Sequence, residues 1–150
     1  MTEVLFYHLQ QHPLERVLPN LLEKSIERGW RVIVQAGSSE RVEALDTLLW
    51  TYRDDSFLPH GTARDGRVSS QPIYLTSESA GNPNGATVRF LVEGADLETY
   101  AEYERVVYMF DGRINEAVQA ARDAWLRART ANCNVTYWKQ SKSGKWERKA

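Results

Sequence analysis

At 150 residues, 42% hydrophobic and 26% charged, the chain has the size and make-up of one soluble globular domain able to bury a real core. No run approaches the roughly 18 apolar residues of a membrane span, and "MTEVLFYHLQ" lacks the basic start and apolar middle of a signal peptide, so a cytoplasmic address is expected. A single cysteine, Cys133, excludes an internal disulfide framework and a multi-cysteine zinc site.

Residues 3–8 ("EVLFYH") read as a first strand. Residues 13–29 follow with apolar positions Leu14, Val17, Leu18, Leu21, Leu22 and Ile26, a helical stripe closed by Gly29; Pro19 inside it predicts a kink or a late start. "WRVIVQA" is a short β-branched strand. "GSSERVEALDTLLW" is a helix begun by serine, with Val42, Leu45 and Leu48 or Leu49 inward. Strand, helix, strand, helix over about fifty residues is the mark of a mostly parallel sheet covered by helices on both faces. The prediction is therefore a single three-layer α/β domain.

Residues 61–71 ("GTARDGRVSSQ") are turn-rich and predict an exposed loop. "PIYLT" and "ATVRFLVEG" are strands around the loop tip "SESAGNPNG". "DLETYAEYE" predicts a short helix, "RVVYMF" a buried strand, and "DGRINEAVQAARDAWLRART" the longest helix. "CNVTYWK" and "GKWERK", around "QSKSG", form a final strand or a hairpin. Charge is uneven along the chain: residues 121–150 carry eight basic against two acidic residues, or +6, which leaves −7 for residues 1–120 of a net −1. Such a basic end is either a solvated tail or a surface that meets an anionic partner.

An α/β sheet invites a nucleotide, and "VIVQAGSSER" sits where a phosphate loop would. It has one glycine where a dinucleotide fingerprint needs three, and no Gly-Lys-Ser/Thr follows. His8 and His12 are four apart, but His8 ends a strand and Pro13 interrupts any helix, so they share no face. No His-Glu-x-x-His, Gly-x-Ser-x-Gly elbow or second metal cluster is present. Cys133, in a strand, reads as a buried thiol. His60 follows a proline in a loop, with no evident orienting acid. No catalytic, cofactor-binding or metal-binding constellation emerges.

Binding patterns are better represented. On the long helix Ile114, Ala117, Ala121, Ala124 and Ala128 form a small-residue stripe suited to packing on a sheet. Beside it runs a stripe of Val118, Arg122, Trp125 and Arg129. Two guanidiniums flanking an indole can receive carboxylates and an apolar anchor together. The alternative, in which Trp125 is core and the arginines snorkel past it, stays slightly ahead on pattern alone. "LLWTYRDDSFLPH" ends a helix in Trp50, Phe57, Pro59 and His60, the composition of a docking edge, the alternative being simple core.

"LDTLLW", then "SFLPHG", then "ARDAW" in a late helix and a near-terminal "YWK" resemble, in that order, the chi subunit family of bacterial DNA polymerase III; "FYHL" and "GWRVIV" fit its pattern too. The resemblance covers about residues 4–139, giving a chi-like α/β domain over 1–139 with residues 140–150 as a basic C-terminal extension of the same domain. It implies a Rossmann-like fold and a non-catalytic accessory subunit of the polymerase holoenzyme, with no cofactor. The implied partners are a psi-type subunit of the clamp loader and the acidic, phenylalanine-ending C-terminal tail of single-stranded-DNA-binding protein. DNA is then met only indirectly, and no membrane is involved. By position, Trp50 and Phe57, with Pro59 and His60, match the psi side. Arg122 matches the arginine central to tail binding, with Trp125 beside it and Arg129 a weaker match. Val118 and Leu126 stand where some members carry lysine, a loss of charge that Arg127 is expected to offset. A degenerate nucleotide-binding enzyme and a direct nucleic-acid binder are the competing readings.

Overall fold

A computed structural model describes residues 1–52 and 58–150. In chain order the elements are β1 (Glu3–Leu9), α1 (Leu14–Glu27), β2 (Val32–Gln35), α2 (Ser39–Thr51), β3 (Gly61–Thr62), β4 (Ile73–Thr76), β5 (Val88–Leu91), β6 (Arg105–Asp111), α3 (Asn115–Thr130), β7 (Asn134–Gln140) and β8 (Trp146–Arg148). The strands make one sheet in the order β3-β4-β2-β5-β6-β1-β7-β8. Every neighbouring pair is parallel except the final β7–β8 hairpin, which is antiparallel.

Two apolar clusters flank the sheet, as the mixed α/β pattern predicts. Leu14, Val17, Leu18 and Leu22 of α1, with Val42, Leu45 and Leu49 of α2, pack on one face against Val34, Leu75, Phe90 and Met109. On the other face Ala121, Ala124 and Ala128 of α3 pack against Val4, Phe6, Val106 and Tyr108. The alanine methyls let α3 lie close to the strands. Ile114, expected in that stripe, is instead the N-cap of α3 and is 49% exposed. Central strands β2, β4 and β5 are buried at every position, which is why their sequences are continuous rather than alternating.

Helix α1 starts at Leu14 and runs through Pro19, so there is no late start; buried Pro19 sits inside the helix. Ser38 caps α2 by accepting a hydrogen bond from the Arg41 backbone N–H. Residues 61–71 are not loop throughout: Gly61 and Thr62 add a two-residue edge strand to β4. The helix expected over 96–104 does not form, and the segment is turns and bends. Asp96 accepts from the Leu97 N–H and from the Tyr100 hydroxyl, and Thr99 accepts from the Ala101 N–H. Those short-range bonds compete with helical ones, while Tyr100 and Tyr103 are buried below.

Arg89 in central β5 is 1% exposed and meets no carboxylate among the described residues. Its five N–H donors go to Gln35 Oε1 twice and to the Tyr103 hydroxyl, the Gly81 carbonyl and the Glu78 carbonyl once each. A buried guanidinium is tolerable because every donor is satisfied. Through it, β5 holds the 77–85 loop against the sheet.

Candidate functional site

At the end of the α1/α2 layer toward β3, the last turn of α2 presents Trp50, 55% exposed. Asp46 lies one turn earlier on the same helix face. Both meet His60, whose ring centre is 4.7 Å from that of Trp50 and whose Nε2 is 3.1 Å from Asp46 Oδ1, without a well-directed hydrogen bond between them. His60 Nδ1 lies 2.6 Å from the Leu58 carbonyl oxygen. Sequence inspection found no acid for His60; the acid is Asp46, and its four-residue spacing from Trp50 was the available signal. With both ring nitrogens turned to the protein and the side chain fully buried, His60 is a brace under Trp50 rather than a base facing solvent. Pro59 is half-buried beside it, and Phe57 lies outside the described residues.

The second surface is on the opposite face of the sheet and toward its other edge. Trp125 of α3 is half-buried, edge-on to Phe6 at 5.7 Å and to Tyr137 at 5.9 Å between ring centres. Trp125 therefore packs on the sheet with one side of its ring and leaves part of it exposed. The Arg129 guanidinium carbon lies 5.8 Å from the Trp125 ring centre, in cation–π range. Arg122, one turn before Trp125 and two before Arg129, is exposed and acts with its charge on the Tyr137 hydroxyl. Burial nonetheless raises the Tyr137 pKa. Val118 is half-buried at the head of the stripe, and Leu126 is 63% exposed at its flank. Neither Arg122 nor Arg129 forms an ion pair among the described residues. Two guanidiniums without ion pairs among the described residues thus share the stripe of one partly exposed indole, Arg129 against the ring and Arg122 within charge range of Tyr137.

Arg127 is not part of that group. It points to the other side of α3, where it pairs with Asp96 and donates to the Leu97 carbonyl oxygen at 3.0 Å. Its charge pins the 96–104 segment. Beneath the stripe, the Tyr137 hydroxyl and His8 Nδ1 are 2.6 Å apart. Burial lowers the His8 pKa, Lys139 adds to the effect, and Asp111 opposes it. The "YWK" run divides between the two faces of the sheet: Tyr137 faces α3, whereas Trp138 stacks on Tyr7 at 6.4 Å on the other side.

The phosphate-loop position is filled by the protein itself. A Cβ added to Gly37 would stand 2.3 Å from the Glu93 carbonyl oxygen, so this glycine admits a neighbouring loop and not a pyrophosphate. Among the described residues, no cluster of three or more His, Cys, Asp or Glu side chains could hold a metal ion. No described helix is long and apolar enough to cross a membrane.

The family model described as "DNA polymerase III chi subunit, HolC" matches residues 1–136, from β1 into β7 and through both surfaces. Among curated proteins, a "Probable DNA polymerase III subunit chi" of Rickettsia prowazekii (strain Madrid E) is 27% identical over 110 residues. That alignment takes in 73% of this chain and 66% of the relative, just under two thirds of its length.

Proposed function

This chain belongs to the DNA polymerase III chi subunit family, a family of DNA replication, and on that premise we propose that it is a cytoplasmic, non-catalytic adaptor that needs no cofactor. One surface, built on Trp50, Pro59 and His60 with Phe57, receives a psi-type subunit of the clamp loader. The other, built on Arg122, Trp125 and Arg129 with Val118 at its head, receives the acidic C-terminal tail of single-stranded-DNA-binding protein. The chain then reaches DNA only through that protein.

One observation carries the reading: Arg122 and Arg129 are exposed, lack acidic partners among the described residues, and share a helix stripe with Trp125, whose ring Arg129 meets. Guanidiniums without internal carboxylates are free to take external ones, and a half-exposed indole beside them offers an apolar seat for a terminal phenylalanine. The position of Arg127, clamped to Asp96, argues that it does not replace the charge missing at Val118 and Leu126. Tail binding here then rests on two guanidiniums. Titration calorimetry with an acidic peptide ending in phenylalanine tests this: one molar equivalent bound by the parent, and binding lost with its C-terminal amide, is the expected outcome.

A further inference from the structure

A recess lies on the face of the sheet opposite Trp125, where the second half of α1 crosses β1, β6 and β5. It has a volume of about 230 Å³ and an apolar floor that includes Leu21, Phe90 and Val107. Its rim carries Lys24, Arg28 and Arg105, and among the described residues no carboxylate lines it. Three cations with one acidic partner, Glu3, among the described residues are unexpected here, since residues 1–120 carry a net −7. Lys24 and Arg28 are exposed and form no ion pair among the described residues. Arg105 gives one amino group to Glu3 at 2.8 Å and keeps the rest of its guanidinium.

The groups converge. The Arg28 and Arg105 guanidinium carbons lie 5.0 and 4.9 Å from the Trp30 ring centre, which fixes two flexible side chains on one indole. Both charges also act on the Tyr7 hydroxyl, lowering a pKa that burial raises. Cations held in place over apolar side chains bind an anion at less entropic cost than free surface arginines do.

We propose that this recess is a second peptide-terminus site: Lys24, Arg28 and Arg105 take a partner protein's C-terminal carboxylate, and its last apolar side chain rests on Leu21, Phe90 and Val107. The volume suits one side chain and one carboxylate. A nucleic-acid strand would find the charge but no stacking platform. Two guanidiniums already lie against Trp30, and Trp146 meets Tyr7 edge-on at 4.9 Å.

Arg122→Ala protein, in which the α3 surface is disabled, is labelled with ¹⁵N-tryptophan; its five indoles then separate the two faces. The probes are acetyl-Asp-Leu-Phe with a free carboxylate, the same peptide as its C-terminal amide, and an oligothymidine. The free acid is expected to shift the Trp30 indole resonance and leave that of Trp125 in place. The amide, and Lys24→Gln/Arg28→Gln in the same background, are each expected to bind at least about 10-fold more weakly. An unmoved Trp30 resonance, equal binding of acid and amide, or an undiminished double variant would overturn the proposal. So would oligothymidine that shifts Trp30 at lower concentration than the peptide, which would make the recess a nucleic-acid site. A shift of Trp125 instead would mean that Arg122 is not central to the α3 surface, a separate failure read from a separate resonance.

Discussion

Arg129 and Trp125, one turn apart on α3, form a cation–π pair 5.8 Å from guanidinium carbon to ring centre, with Arg122 exposed on the turn before. Arg122→Ala is expected to weaken an acidic, phenylalanine-ending peptide by ten- to a hundredfold, from loss of about 1.5–3 kcal/mol of charge-assisted hydrogen bonding. Because Arg122 is exposed and unpaired among the described residues, the thermal midpoint should not move. Calorimetry and a melting curve on the same sample check both halves, and unchanged affinity would remove Arg122 from the surface.

Leu126, 63% exposed beside this stripe, is a position where charge can be added without disturbing the core. Leu126→Lys should tighten the same peptide by about two- to fivefold at low salt, the range of an exposed ion pair. The gain should fade with added salt, since such charges are screened over about 8 Å at physiological ionic strength. A gain that survives high salt would point to a change of packing instead.

Trp50 and His60 touch but should respond differently. Trp50→Ala removes a largely exposed ring, so stability should change by about 1 kcal/mol or less. Capture of a psi-type partner should fall by thirtyfold or about that, the effect of losing an interface anchor. His60→Ala leaves Asp46 facing a cavity and should cost about 2 kcal/mol or more of stability. Chemical denaturation paired with a capture assay separates them; equal destabilisation by both would make Trp50 core.

Arg89→Ala should destabilise the fold by about 3 kcal/mol or more, because it strands Gln35 Oε1 and the Glu78 carbonyl and leaves the Tyr103 hydroxyl and the Gly81 carbonyl only their long bond to each other at 3.4 Å. Hydrogen exchange should show the 77–85 loop opening first. A variant as stable as the parent would contradict the role given to that network.

Acid should weaken the fold through His8. Its folded pKa lies below its ordinary value of 6.5, so the unfolded chain takes up the proton first as pH falls. The stability due to neutral His8 is complete above about pH 6.5 and is lost on descending from there toward the folded value. Asp111, held below 3.8 chiefly by its bond to Arg113, stays charged throughout that window. Denaturation midpoints between pH 7.5 and 5.5 should fall in the parent and fall less in His8→Gln; parallel slopes would exclude His8.

The sheet was legible because its strands carry the signals that burial imposes. "VIVQ" and "IYLT" are continuous apolar runs, and Ser38 marks the start of α2. What escaped was decided by contacts distant in sequence. The 96–104 segment has helical composition, but Asp96 is committed to Leu97, Tyr100 and, 31 residues on, Arg127. The two-residue strand β3 is too short to show a period. On the candidate surfaces the Arg122, Trp125 and Arg129 stripe could be read from helical spacing. The partner of Arg127 could not, since Asp96 comes from another element, and for His60 the four-residue spacing of Asp46 from Trp50 was the one hint.

Binding to coated single strands tests the adaptor reading most directly. Oligothymidine on a sensor surface is covered with single-stranded-DNA-binding protein, either intact or without its C-terminal tail, and the chain is passed over both and over naked strand. A psi-type partner follows. An adaptor is captured on the intact coat only, is lost with Arg122→Ala, and retains the partner only where the chain itself is retained. Tight binding to naked strand, or equal binding with and without the tail, would contradict the adaptor reading.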